Sequence, residues 1–276
     1  EIGGERIVPA ILLVGRDPAK LARLAAQYGT DWSTGLDGAL SDPRYGVVCD
    51  TSVTHNRAAV LHQAITAGKH IYSEKPVALS VADGLELLAA ARERGVKHGA
   101  VEDKLDLPGL RKLSRVMISG TLGRPVGFRL DFGWWVFDGF QIPCQRPSWN
   151  YKRREGGGLL LDMFPHWRYV IEGLLGPIRR LVAAASTATP KRIDERGAPY
   201  SVDVEDTAHA LLEMENGAIG SVLSSWSTRV RRDDLLTLQI DGTNGSAFAG
   251  LHRCWTQHTG QMLRTPHVSV AKDAGI

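Results

Sequence analysis

Three stretches of this chain combine residue types that can do chemistry at a useful spacing. The first is Gly68-Lys69-His70-Ile71-Tyr72-Ser73-Glu74-Lys75-Pro76. It reads as a helix stop, a strand, and a charged tripeptide at the strand's carboxyl end. An ammonium at that place, Lys75, can bind a ligand or move a proton. Equally, Glu74 and Lys75 can form a solvated ion pair at a strand end. The second is Gly156-Gly157-Gly158-Leu159-Leu160-Leu161-Asp162-Met163-Phe164-Pro165-His166. Asp162 and His166 are i and i+4, so they share one face of a helix. A carboxylate beside an imidazole can set its tautomer for proton transfer, or it can make a purely structural hydrogen bond. Three glycines before a helix allow close approach of a ligand or of another backbone. Pro165 lacks a donor and predicts a kink near His166 or a place in the first turn. No further ligands lie at matching spacing, so no metal site is expected. The third stretch is aromatic: Trp134-Trp135-Val136-Phe137, then Trp149 and Tyr151 in the polar, basic segment 148–154. Such rings stack on sugar faces, and they also fill cores and interfaces.

The elements around these residues change character along the chain. Residues 8–14 (VPAILLV), 46–49, 70–73 and 96–101 read as strands. Residues 19–28, 56–67 and 81–94 read as helices, each closed by a glycine, with a short helical turn at 36–40. Alternating strands and helices mean βαβ units and a parallel sheet, with ligands at the carboxyl ends of the strands. The loops to watch are then 15–18, 50–56, 74–76 and 102–106. No G-x-G-x-x-G motif opens the chain. After about residue 105, helices are expected at 107–119 and 158–175. Strands are expected at 124–137, 178–187, 206–215, 218–228, 235–241 and 246–250, with a turn at Glu215-Asn216-Gly217. Strands without intervening helices argue for an open, mostly antiparallel sheet. Residues 189–201 are polar and rich in Pro and Gly, and read as an exposed loop.

Composition narrows the classes. The chain has 276 residues, 43% hydrophobic and 23% charged, as expected for a globular protein of about two domains. The formal net charge is +3, with both signs interspersed. Its basic clusters, Lys152-Arg153-Arg154 and residues 229–232, read as solvated or substrate-edge charge rather than a nucleic-acid footprint. The three cysteines, Cys49, Cys144 and Cys254, show neither a disulfide framework nor zinc spacing, which favours a reducing, cytoplasmic setting. No apolar run approaches the ~18–20 residues of a membrane span. Both ends read as interrupted mid-domain, so a dinucleotide domain here would have its first strand and phosphate loop before Glu1, and the sequence leaves open whether a targeting segment precedes them.

In this order, the pieces resemble the glucose–fructose oxidoreductase, inositol dehydrogenase and rhizopine-catabolism (Gfo/Idh/MocA) family. The resemblance rests on Gly68-Lys69-His70 leading into Glu74-Lys75-Pro76, on the G-G-G-x-x-x-D-x-x-x-H run ending at His166, and on Leu122-Gly123 and residues 238–246. It implies a fold of α/β class: a Rossmann-like parallel-sheet domain, residues 1–105, then an α+β domain with a large open sheet, residues 106–276. It also implies hydride transfer between a nicotinamide cofactor and a sugar, cyclitol or related polyol. Lys75 would lie near nicotinamide and substrate, with Asp162 and His166 facing the same substrate in a cleft between the domains and His166 as proton donor or acceptor. Ser52, Thr54 and Glu74 would join Lys75 in contacting the dinucleotide. Trp149 or Tyr151 would border the sugar, and the Lys75–Pro76 bond would be cis. Two positions depart from the family pattern. Ser52-Val53 stands where Thr-Pro is usual, and Tyr169 stands where Asp often follows the histidine by three.

Three expectations follow from the residues and the resemblance together. Arg16, at the end of the strand at residues 10–14, suits a 2′-phosphate, so NADP is favoured over NAD, although Asp17 could hold a ribose instead. The open sheet would carry apolar residues on both faces, one face packing on a second subunit in a homodimer or homotetramer. The same residues would also serve a lyase or epimerase with tightly held NAD, or a non-catalytic dinucleotide- and sugar-binding regulator.

Overall fold

The computed structural model describes residues 4, 8–133, 147–228, 234–260 and 268–269. The aromatic run 134–137, the arginines of 229–232 and Cys144 lie outside the described residues. The chain divides into two compact units, Glu1–Val101 and Glu102–Ile276.

The first unit alternates strand and helix: β1 (Leu12–Val14), α1 (Pro18–Tyr28), β2 (Asp31–Ser33), α2 (Leu36–Ser41), β3 (Val47–Asp50), α3 (Thr54–Thr66), β4 (His70–Ser73), α4 (Val81–Glu93) and β5 (His98–Ala100). All its strand pairs are parallel, β1 with β2, and β3 with β4 with β5. Local chemistry sets the helix ends. The Asp17 carboxylate accepts the Lys20 N–H at the start of α1, Pro18 takes the first turn, and Gly29 ends the helix at φ +64°. Ser80 caps α4 in the same way. The strand expected over residues 8–14 is only the three residues of β1; Val8 and Ile11 ahead of it are exposed. β2 is an addition, holding one apolar residue, Trp32.

The second unit contains α5 (Pro108–Ile118), β6 (Pro125–Gly133), α6 (Leu159–Leu175), β7 (Ile178–Ser186), β8 (Lys191–Ile193), β9 (Pro199–Ser201), β10 (Thr207–Met214), β11 (Ile219–Ser225), β12 (Leu236–Gly242), β13 (Gly245–Ala249), β14 (Cys254–His258) and β15 (Val268–Ser269). Eight strands form one sheet in the order β15-β14-β13-β12-β6-β11-β10-β7. β6 and β11 run parallel and every other pair is antiparallel. The turn at Asn216-Gly217 joins β10 to β11, with Gly217 at φ +86°.

One face of this sheet is buried. Phe128, Leu130 and Phe132 of β6 join Leu110 and Leu113 of α5 and Trp167 and Ile171 of α6 in one core. Alternation along the strands turns Arg129, Asp131, His209, Leu211, Gln239 and Phe248 the other way. That outer face mixes polar side chains with the apolar Leu211 and Phe248.

Residues 189–201 are not simply an exposed loop. They hold the β8–β9 hairpin, and Arg192 in it is buried. The reason lies outside the segment. The Asp206 carboxylate accepts the Ala188 and Thr189 N–H groups, the Arg192 guanidinium and the Ser227 hydroxyl. A buried carboxylate needs such donors, and it draws the loop inward to obtain them.

Candidate functional site

In the first unit, two loops leave the carboxyl ends of β3 and β4, and one residue on α3 holds both. Arg57 donates from Nε to Asp50 Oδ2 at 2.8 Å, from Nη1 to the Pro76 carbonyl at 2.7 Å, and from Nη2 to the Ser52 carbonyl. The Glu74 N–H adds a bond to the Asp50 carbonyl at 2.9 Å. Lys75 and Glu74 follow β4 and are half-buried, and the Lys75–Pro76 bond is cis, as expected. The Lys75 N–H donates to its neighbour's carboxylate, Glu74 Oε2, at 3.2 Å. Thr54 opens α3 and is buried.

The loop after β3 fits a polar ligand. The Ser52 hydroxyl is buried with no hydrogen-bond partner among the described residues. No side chain caps the adjacent N-terminus of α3. A dinucleotide phosphate or ribose could satisfy both. Arg16 is exposed in the turn after β1, whereas the Asp17 carboxylate is committed to capping α1. Arg57 was not anticipated. A signal existed, because it occupies the stripe of α3 otherwise filled by Leu61, Ala64 and Ile65.

In the second unit, the three glycines serve backbone packing. A Cβ at Gly157 would sit 2.4 Å from the Asn150 carbonyl oxygen, and Gly158 has φ +121°. The Gly158 N–H donates to that same carbonyl at 2.9 Å. The N-terminus of α6 is satisfied within the chain. Glu205 accepts the Leu159 N–H through its backbone carbonyl and the Leu160 N–H through its side chain. α6 then runs unbroken through Pro165, which sits in its second turn rather than its first.

Asp162 and His166 lie one helical turn apart on α6, the first half-buried and the second buried. His166 Nδ1 pairs with the Tyr169 hydroxyl at 2.9 Å. The same hydroxyl accepts the Lys104 N–H at 2.9 Å, tying α6 to the 3₁₀ turn Lys104–Asp106. Burial works to raise the Asp103 carboxyl pKa. The Lys104 ammonium, hydrogen-bonded to it at 2.7 Å, outweighs this with help from His166, and holds it below the usual carboxylate range.

The two aromatic residues of segment 148–154 part company. Trp149 is half-buried in the 3₁₀ turn Ser148–Tyr151. Tyr151, expected at the substrate edge, is in the core instead. It is fully buried, edge-on to Trp226, with the Arg192 guanidinium 4.2 Å over its ring. A buried guanidinium needs a polarisable neighbour, and Tyr151 supplies it. Among the described residues, no group of three or more His, Cys, Asp or Glu side chains could hold a metal ion. Nor is any described helix long and apolar enough to cross a membrane.

Comparison with known proteins agrees with this architecture. Residues 8–101 match the model of an oxidoreductase family with an NAD-binding Rossmann fold, and residues 110–248 match the GFO/IDH/MocA C-terminal domain. The chain is 42% identical to D-xylose dehydrogenase of Paenarthrobacter nicotinovorans, over 98% of its own length and 71% of that protein. It is 26% identical to levoglucosan dehydrogenase of Pseudarthrobacter phenanthrenivorans, over 86% of its length and 64% of that protein. An NAD binding oxidoreductase from Klebsiella pneumoniae superposes with a TM-score of 0.83 at 26% identity, covering 95% of this chain and 70% of that one. With both units matched in order, the chain belongs to the GFO/IDH/MocA family of oxidoreductases.

Proposed function

We propose that this chain oxidises a sugar, D-xylose first among the candidates, with a nicotinamide dinucleotide as hydride acceptor. The observation that carries the reading is the 42% identity to a D-xylose dehydrogenase across 98% of the chain. The sugar itself and the reacting hydroxyl are inferences from that likeness.

The bound nicotinamide would supply the hydride acceptor. This chain's own residues do the rest. Ser52, Thr54 and Glu74 line the strand-end loops that would hold the dinucleotide, with Arg57 fixing their shape. Arg16 is free of the capping work that occupies Asp17, and a guanidinium suits a 2′-phosphate, so NADP is the favoured form. Lys75 would take the hydroxyl proton as hydride leaves the carbon. Asp162 and His166 would bind and orient the sugar from one face of α6, with Trp149 as a stacking edge. The outer sheet face would pair with a second copy of the chain.

The test is an initial-rate assay of NADP and NAD reduction over D-xylose, other pentoses, hexoses, cyclitols and 1,5-anhydro sugars. Turnover of D-xylose that Lys75→Ala and His166→Ala each lower by about 10²–10⁴-fold supports the reading. Cofactor binding without reduction by any sugar would overturn it in favour of a non-catalytic role.

A further inference from the structure

The hydroxyl of Tyr169 has two hydrogen-bond partners among the described residues. One is the backbone N–H of Lys104, the other is Nδ1 of His166, each at 2.9 Å. An amide N–H can only donate, so the phenol oxygen accepts from Lys104. The phenol has one proton of its own to place. If Nδ1 also carried a proton, the oxygen would face two donors and its own hydrogen would have no acceptor there. The satisfied arrangement sends the phenolic proton to Nδ1. A neutral imidazole has a single N–H, which then resides on Nε2.

We propose that Tyr169 is a positioning residue that fixes neutral His166 in the Nε2–H tautomer, so that His166 meets its ligand as a hydrogen-bond donor. The proposal rests on the reading that His166 faces the sugar. Two observations support the arrangement. Burial, together with the charges of Asp103, Glu102 and Asp106, pushes the Tyr169 phenol above its ordinary pKa, so it keeps the proton it must donate. The two rings also meet edge to face, centroids 5.7 Å apart, which holds the imidazole plane.

The consequence is a division of labour. A neutral His166 with its proton on Nε2 offers a hydrogen bond to a sugar oxygen that accepts one, a carbonyl or a developing alkoxide. It is not itself the acceptor of the hydroxyl proton. In the oxidation a bound nicotinamide would supply the hydride acceptor and the Lys75 amine would take the hydroxyl proton as the carbon–oxygen double bond forms, while His166 would keep its proton throughout.

The tautomer is read directly by long-range proton–nitrogen correlation NMR on the full chain labelled with ¹⁵N-histidine. The spectrum is recorded at about pH 8, above the ordinary imidazole pKa of about 6.5. His166→Gln identifies its signals by their loss. The expected result is the Nε2–H pattern in the intact chain and loss of that preference in Tyr169→Phe. An Nδ1–H pattern in the intact chain, or an unchanged pattern in Tyr169→Phe, overturns the proposal. If Tyr169→Phe fails to fold, the intact chain alone decides. The measurement needs neither sugar nor cofactor. An Nε2–H pattern in a chain that turns over no sugar would therefore overturn the functional reading and leave this one standing.

Discussion

Arg57 and Asp50 form a buried ion pair, Nε to Oδ2 at 2.8 Å, with both side chains at most 5% exposed. The pair sits under the two loops that leave β3 and β4, and the rest of the guanidinium is spent on the Ser52 and Pro76 carbonyls. Removing one member of a buried pair leaves the other charge uncompensated, at a cost of about 3–5 kcal/mol. Arg57→Ala is therefore expected to lower the thermal midpoint and to weaken dinucleotide binding. Arg57→Lys keeps the charge but not the three-way reach, and should recover only part of either. Calorimetry and cofactor titration of both variants check this. Wild-type cofactor affinity in Arg57→Ala would show that the loops do not depend on it.

Asp206 offers a second stability test of the same kind. It accepts four donors from three segments and pairs with Arg192, both side chains fully buried. Asp206→Ala should destabilise by ~3–5 kcal/mol and release the β8–β9 hairpin, which limited proteolysis would detect. Arg192→Ala should cost a similar amount, and the double variant less than the sum, because the two act as one unit.

Arg16→Ala tests cofactor choice. Loss of a guanidinium facing a 2′-phosphate should reduce the NADP-over-NAD preference in kcat/KM by about tenfold, roughly 1.4 kcal/mol. An unchanged ratio rejects Arg16 as the discriminating residue.

The thiols differ sharply in environment. Cys49 is exposed, whereas burial pushes the Cys254 thiol up to about 11. With Cys144 replaced by Ser, a disulfide reagent near pH 8 should label Cys49 quickly and Cys254 only on unfolding. The linkage sign is also fixed. A thiol held protonated by folding gives stability that is complete below its unfolded pKa and is lost as pH rises toward about 11. Denaturant midpoints should fall over that range and recover in part in Cys254→Ala.

The outer sheet face gives a fifth measurement. Leu211 and Ile219 stand exposed on neighbouring strands β10 and β11. Leu211→Glu should shift the chain toward monomer by light scattering if this face pairs with a second copy. A wild-type monomer would remove that role.

Helices were legible in the sequence because their ends carry their own chemistry. The glycines at 29 and 95 do by themselves what the structure shows them doing, whereas the caps at Asp17 and Ser80 show only in the structure. β4 and the cis bond beside Lys75 were legible from a motif and its family likeness. Pairings across long stretches of chain were not. Arg192 is buried because Asp206 waits fourteen positions later, and nothing local to residues 189–201 records that. Tyr151 looked like a surface ring in a basic segment until Arg192 and Trp226 closed over it. At the candidate site, His166 was readable by type and spacing. Its Nδ1 partner was not, although Tyr169 stands at i+3, where a side chain on the same helix can reach it.

The strand order has a consequence for how this chain is made. β6 lies between β11 and β12, and its register sets Gly127 against Ile219 on one side and Asp241 on the other. Both neighbours are encoded some ninety or more residues downstream. At ~5–20 residues per second, the ribosome delivers the first of them about 5–20 s after β6 has emerged. Through that interval Phe128, Leu130 and Phe132 have no sheet to enter, and both edges of the strand stand open. The hairpins that follow can close as they appear; the centre of the sheet has to wait. The topology thus leaves a central strand of the finished sheet unpaired through the middle of the chain's synthesis, when its apolar face is most open to aggregation.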